Sequence, residues 1–187
     1  MPDLPCTPAQ TVGPFFGLAL PYPGDNLLLD ASRLGAVRLH GTVYDGAGDP
    51  VPDALVELWQ ADGAGRIPRA AGSLRRDHAE FTGWGRSATD ADGRYGFTTL
   101  TPGSPAPGAA PFFAIAVFAR GLLNLLFTRA YLPGASDDPL LDRVAVERRA
   151  TLLCVDEIDS GLTGYRFDIH LQGDRETVFL AHREGPS

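Results

Sequence analysis

Residues 39–65 read LHGTVYDGAGDPVPDALVELWQADGAG, and this stretch decides the fold class. In residues 39–44 apolar or small side chains alternate with polar ones, and this period of two is typical of a half-buried strand. Residues 45–50 combine glycines, which tolerate positive φ, with a proline that cannot continue a strand ladder. Residues 54–59 are apolar except at Glu57, as in a strand covered on both faces. The stretch therefore predicts two strands joined by a turn.

Short strand patterns separated by turns continue along the rest of the chain. Many short strands at regular spacing are typical of an all-β fold, either a sandwich or a barrel. No repeat or low-complexity linker divides the chain, so residues 1–187 are predicted to form a single domain with an irregular N-terminal arm over residues 1–35. The predicted elements are strands at 37–44, 54–60, 95–100, 112–119, 125–132, 165–171 and 176–181, a loop at 61–85, and one helical stretch at 137–153.

Composition excludes several function classes. The net charge is −7, and the 16 basic residues are all arginines without a basic run, which argues against nucleic acid and anionic membranes as partners. The two cysteines, Cys6 and Cys154, form no CxxC or Cys/His cluster, so a zinc site is not expected, although a disulfide between them stays open. The N-terminus has no signal-like pattern and no apolar run reaches 18 residues, so a cytoplasmic protein is expected.

Three motifs carry a resemblance to a known family. The stretch from Leu39 to Asp62 fits LxGxVxDxxGxPVxxAxVExWQAD, residues 7–16 read TPAQTVGPFF, and residues 118–131 read FARGLLNLLFTRAY. Together they resemble the intradiol ring-cleaving dioxygenases, over nearly the full chain. The resemblance implies an all-β fold, a two-sheet antiparallel β-sandwich with long loops and one or two short helices.

The iron ligands of that family are missing from this sequence. Catalytic chains hold a non-haem ferric ion through two tyrosines and two histidines, whose hard oxygens and imidazoles suit Fe(III). The matching positions here hold Ile67, the Ser104-Pro105 pair, Phe112 and Ala114. The resemblance therefore implies no metal ligand and no catalytic residue in this chain.

Heteromeric members of the family offer a role for such a chain. In them an alpha chain without ligands completes the pocket of a homologous beta chain, which binds the Fe(III) and cleaves protocatechuate with O₂. The resemblance implies the same partner, cofactor and substrates here. It also implies five substrate-binding residues: Thr11, Gly13, Pro14, Phe15 and Arg120.

Two other interpretations remain open on the sequence. One is a stand-alone intradiol enzyme with unrecognised ligands. The other is a non-enzymatic binding module, because transthyretin-type sandwiches carry a turn similar to residues 41–54. The N-terminal arm and the FARGLL block favour the dioxygenase subunit.

Overall fold

The computed structural model describes residues 11, 13, 16–68, 80–159 and 161–181. Within these residues the chain forms two β-sheets that face each other, and the expected β-sandwich is confirmed. A short α-helix, Phe16–Ala19, precedes the sheets. The strands are β1 (Ala36–Tyr44), β2 (Leu55–Trp59), β3 (Trp84–Ala88), β4 (Arg94–Leu100), β5 (Phe112–Phe118), β6 (Leu126–Tyr131), β7 (Val155–Asp159), β8 (Leu162–Arg166) and β9 (Ile169–His170).

The connection after β1 carries the chain from one sheet to the other. The first sheet has the order β4-β1-β8-β7, with β9 also paired to β1, and the second has the order β3-β2-β5-β6. The strands of the opening stretch, β1 and β2, therefore exist but lie in different sheets. Most pairs are antiparallel, while β1 pairs in parallel with β8 and β9.

The main core lies between the two sheets. Alternate residues of each strand point inward, so that Leu39 and Phe97 of the first sheet and Val56, Phe113 and Ile115 of the second are almost fully buried. Burial of this apolar surface is the dominant favourable term in folding.

The outer faces of the two sheets differ in character. The first sheet carries charged and polar side chains on its outer face, where Arg38 Nε pairs with Asp159 Oδ2 at 3.2 Å and His40 Nε2 lies 2.7 Å from Glu157 Oε1. The second sheet instead exposes large apolar side chains, with Trp59 55% exposed and Phe127 42% exposed.

Several local predictions were wrong. Residues 137–153 form two 3₁₀ helices, Leu141–Arg143 and Val146–Leu152, in place of one helix. The predicted strand 165–171 is divided between β8 and β9, and residues 176–181 contribute only an isolated bridge from Leu180 to Phe127. Strands β3 and β7 had not been predicted.

The arm was predicted to be irregular, yet it contains the short helix and supplies core residues. Leu28 is fully buried, and its backbone N–H donates to the Thr98 carbonyl oxygen at 2.9 Å. Among the described residues no helix is long and apolar enough to cross a membrane.

Candidate functional site

Arg120 lies at the tip of the hairpin that joins β5 to β6. The strands end at Phe118 and begin again at Leu126, so the FARGLL block forms the connection. Gly121 has φ +86°, a left-handed conformation that favours glycine, and it turns the chain directly after Arg120. The Arg120 side chain is 64% exposed.

Asp53 is the acidic partner of Arg120. The Asp53 Oδ2 atom contacts Arg120 Nε, and the aspartate side chain is 33% exposed. The register of the antiparallel strands β2 and β5 explains the contact. Leu55 lies opposite Phe118, so Asp53, two residues before Leu55, lies opposite Arg120, two residues after Phe118. The pairing of two strands whose partners Leu55 and Phe118 are 63 residues apart thus sets the position of the guanidinium group, and no local sequence pattern points to Asp53.

The N-terminal arm meets the same hairpin tip. The backbone N–H of Gly121 donates to Thr11 Oγ1 at 3.1 Å, which brings two of the residues predicted to bind substrate side by side. Gly13 is exposed, and its carbonyl oxygen accepts a hydrogen bond from the Phe16 N–H at 3.3 Å. Pro14 and Phe15 lie outside the described residues.

A separate cavity of about 750 Å³ opens on the outer face of the second sheet. We call it the outer cavity. It is lined mainly by apolar side chains, with Gln60, Thr82, Thr128, Arg129 and Arg143 as its polar members. The apolar lining includes Trp59, Ile67, Pro105, Phe112, Ala114, Ala116, Phe127, Leu140, Val144 and Phe179.

Arg129 of β6 is fixed at the wall of the outer cavity. Its Cζ atom lies 4.0 Å from the centroid of the Phe112 ring, and Nη1 donates to Tyr131 Oη at 3.2 Å. Tyr131 Oη in turn donates to Asp138 Oδ1 at 2.8 Å, and Asp138 Oδ1 also accepts from the Leu140 N–H at 2.8 Å. These contacts hold the guanidinium group at one place on the sheet.

Burial and hydrogen bonding act in opposite directions on this network. Burial raises the pKa of Tyr131 to about 12 and keeps its hydroxyl protonated as a donor. Burial alone would raise the pKa of Asp138 as well. Hydrogen bonds from Tyr131 and from backbone N–H groups, including that of Leu140, outweigh it, so the pKa of Asp138 is held below its usual value. Asp138 is therefore an ionised, almost fully buried group.

Comparison with known proteins assigns the family. A family model described as Dioxygenase matches residues 13–110. The protocatechuate 3,4-dioxygenase alpha chain of Burkholderia cepacia is 39% identical over 197 residues, which cover 96% of this chain and 99% of that protein. The chain belongs to the intradiol dioxygenase family. The resemblance predicted from the sequence is thereby confirmed.

Further intradiol dioxygenase relatives agree in sequence and in fold. The protocatechuate 3,4-dioxygenase beta chain of B. cepacia is 35% identical over 166 residues, covering 79% of this chain and 69% of that protein. The solved dioxygenase domain of a carbohydrate-binding fusion protein from Streptomyces sp. SirexAA-E superposes with a TM-score of 0.58 at 27% identity. The superposition covers 89% of this chain and 98% of that domain.

By the resemblance to the intradiol dioxygenases, four positions of this chain match the iron ligands of catalytic chains, and all four lie in the outer cavity. Ile67, Pro105, Phe112 and Ala114 all line it. The described lining includes no histidine, cysteine, tyrosine or carboxylate side chain. The described part of the chain contains no group of three or more His, Cys, Asp or Glu residues placed so that it could hold a metal ion. Because Fe(III) needs hard oxygen and imidazole ligands, this lining does not fit the family's ion.

The outer cavity and the Arg120 tip lie at opposite ends of β5. Ala114 is near the start of the strand, and Arg120 follows its end. A strand rises about 3.3 Å per residue, and the lining residue of β5 nearest to the tip is Ala116, so the four residues from Ala116 to Arg120 separate the two sites by about 13 Å along the strand. Neither Arg120 nor Thr11 is among the described residues that line the cavity.

Cys154 takes no part in either site. It is a free, buried thiol whose pKa is raised well above the usual value by burial. A protonated thiol without solvent access is unreactive. Cys6 lies outside the described residues.

Proposed function

We propose that this chain is the non-iron-binding alpha subunit of a protocatechuate 3,4-dioxygenase. With a homologous iron-bearing beta subunit it cleaves protocatechuate with O₂ between the two hydroxyl-bearing carbons, giving 3-carboxy-cis,cis-muconate. The similarity to the B. cepacia alpha chain over 96% of this chain supports the proposal. The observation that carries it is this similarity, which also covers 99% of the length of that alpha chain.

Arg120 is the residue that we assign to the carboxylate of protocatechuate. Its only partner among the described residues is Asp53, which contacts Nε and leaves the two terminal nitrogens for a ligand. A planar guanidinium fork holds a carboxylate through two parallel hydrogen bonds, with both charge and geometry favourable. Arg120 therefore orients the substrate, and the bond chemistry takes place on the partner.

The N-terminal arm forms part of the wall of the same substrate pocket. Thr11 is joined to the hairpin tip by the Gly121 N–H, so the arm and the Arg120 loop approach the partner as one surface. Gly13, Pro14 and Phe15 are assigned to the same pocket from the resemblance, and a glycine there lets the backbone approach a flat ring closely. Their role is to enclose the substrate and exclude water.

Iron in this assembly is assigned to the beta subunit, where it supplies the activation of the catecholate ring and O₂. We place the assembly in the cytoplasm, as the sequence predicts.

Iron content and protocatechuate-dependent O₂ uptake test the proposal directly. We expect the purified chain to be free of iron and inactive, and the chain co-expressed with its beta partner to be iron-loaded and active. Iron binding and O₂ consumption by the chain alone would overturn the subunit assignment and favour a stand-alone enzyme.

Substitution of Arg120 tests the pocket assignment in the active complex. Arg120→Ala is expected to raise KM for protocatechuate more than it lowers kcat, because the lost contact is made to bound substrate as well as to the transition state. The matched control is Arg94→Ala, which removes another exposed arginine that pairs with an aspartate, Asp92, on the other sheet. An unchanged KM in Arg120→Ala would remove Arg120 from the pocket.

A further inference from the structure

The outer cavity is built as a trough across three strands. Trp59 of β2 lies opposite Ala114 of β5, and Ala114 lies opposite Arg129 of β6. Neighbouring strands are about 4.8 Å apart, so the backbones that carry Trp59 and Arg129 are about 10 Å apart. Between them the floor is made by the small side chains of Ala114 and Ala116.

The walls of the trough are unusually apolar for an outer face. Trp59, Ile67 and Phe127 are 55%, 67% and 42% exposed, and all three line the cavity. The Trp84 ring packs beside Trp59 with a centroid separation of 5.9 Å and supports it. Large exposed apolar side chains gathered around one hollow mark a binding site, whereas scattered ones need no explanation.

Arg129 gives the trough a fixed positive charge. Phe112 and Tyr131 hold its guanidinium group, and among the described residues Nε and Nη2 have no hydrogen-bond partner. Asp138 Oδ1 is 3.8 Å from Nη1, but that carboxylate already accepts shorter hydrogen bonds from Tyr131 and Leu140. Arg143 lies at the same cavity and is exposed. The described lining contains these two arginines and no carboxylate, so that even with Asp138 behind Arg129 the cavity keeps a net positive charge, which favours an anion.

We propose that the outer cavity is a non-catalytic binding site for an aromatic carboxylate. The ring lies on Ala114 and Ala116 against Trp59, and the carboxylate is held by the terminal nitrogens of Arg129. A neutral aromatic compound cannot make the contact between a carboxylate and Arg129. A small aliphatic acid cannot make the contact between a ring and Trp59. The site is independent of Arg120, and the proposal does not depend on a catalytic partner.

Equilibrium dialysis with radiolabelled benzoate tests the site. The protein is purified either alone or with its co-expressed partner, and bound benzoate is counted per copy of this chain. Benzoate is expected to bind, whereas benzamide, which keeps the ring but removes the charge, competes at least about tenfold more weakly. Acetate is expected not to compete.

Two variants locate the bound benzoate. Ala114→Trp fills the floor of the trough and is expected to remove one benzoate site per chain, while Ala88→Trp places the same side chain on β3 outside the outer cavity and leaves binding unchanged. Arg129→Gln is expected to abolish the preference for benzoate over benzamide, and Arg129→Lys to retain part of it.

Three results would overturn the proposal. They are the absence of benzoate binding, equal binding of benzoate and benzamide, and an unchanged number of sites in Ala114→Trp. Circular dichroism of each variant identifies a loss of binding that comes from misfolding. In that case the smaller substitution Ala114→Leu repeats the test, with the same expected loss.

Discussion

At the scale of single residues, our functional proposals rest on two arginines. Each is held in place by an acidic residue of a different element. Arg120 is paired with Asp53, and Arg129 is linked through Tyr131 to Asp138. The two acids differ in exposure, since the Asp53 side chain is 33% exposed and that of Asp138 only 1%. Their removal should therefore have different consequences, for activity in one case and for stability in the other.

Asp53 is a positioning residue for Arg120 in the proposed function. An exposed ion pair contributes about 1 kcal/mol or less, so Asp53→Asn is expected to raise KM for protocatechuate by about two- to fivefold with little change in kcat. Asp53→Glu, which keeps the charge, should recover most of the loss. Steady-state kinetics of the complex measure both, with Asp92→Asn as the control. A fall in kcat without a change in KM would contradict the positioning role.

Asp138 should contribute to stability in a pH-dependent manner. Asp138→Asn leaves donors around a buried site without their charged acceptor, and is expected to lower the free energy of unfolding at pH 7 by about 2–3 kcal/mol. Because the pKa of Asp138 is lower in the folded state, its stabilisation is fully present above the unfolded pKa near 4 and is lost as the pH falls through the folded pKa. The difference between wild type and variant should therefore shrink below about pH 4.

Urea unfolding at pH 7, 5 and 3 measures this difference. The control is Asp142→Asn, because Asp142 is exposed in the neighbouring 3₁₀ helix. A loss of equal size at every pH would show that the charge of Asp138 is not what stabilises the network.

At the scale of elements, the β5–β6 hairpin is the unit that presents the Arg120 site. Its tip depends on the left-handed backbone of Gly121, which also donates its N–H to Thr11. No heavy atom lies within 4 Å of a Cβ built on Gly121, so a side chain there would not clash with its surroundings. The cost of a substitution would come only from the positive φ of the backbone.

Gly121→Ala isolates that strain. It is expected to lower the free energy of unfolding by about 1–2 kcal/mol, since an L-residue at positive φ is disfavoured by that amount. Urea denaturation provides the measurement. Gly17→Ala is the control, because its added Cβ also meets nothing within 4 Å and its φ is not positive. Equal stability of Gly121→Ala and wild type would mean that the tip accepts another backbone conformation.

At the scale of the whole molecule, the proposed function requires a stable contact between this chain and a partner. Leu123 and Leu125 are exposed on the connection that carries Arg120, at 60% and 36%. Apolar side chains beside a functional arginine are what the buried centre of such an interface needs.

Leu123→Asp is therefore expected to weaken the complex while leaving the thermal unfolding of this chain unchanged. Sedimentation velocity of the co-purified protein should show dissociation at concentrations where the wild type stays assembled. Ile158→Asp is the control, because Ile158 is 81% exposed on β7 of the other sheet. Full assembly of Leu123→Asp would place the interface elsewhere.

The elements that sequence reasoning missed have identifiable reasons. In β3 the inward positions are Gly85 and Ser87, so the strand has no apolar alternation. Gly85 is needed because a Cβ there would lie 2.5 Å from the buried Leu28 Cδ1 atom, a contact with the distant arm. Strand β7 is exposed at most positions and is defined only by its pairing with β8.

The predicted helix at 137–153 failed for a different reason. Val144 and Ala145 adopt extended ψ values of 133° and 135°, which divide the segment into two 3₁₀ helices. Leu141 and Leu152 on either side are buried in one cluster with Tyr131, so tertiary packing outweighs a weak helix propensity.

By itself the sequence determined the fold class and the family, and it predicted that the iron ligands are missing, because period-two alternation, turn residues and side-chain chemistry are local properties. It also determined Arg120 and Thr11 as candidates, although it gave no reason for them to meet. Only the tertiary structure decided that they share one tip with Asp53, that the positions matching the family's iron ligands line one cavity with Arg129, and that about 13 Å of strand separates the two sites. The physical reason is that strand pairing and sheet packing join residues far apart in the chain, and no local pattern records which strands will pair.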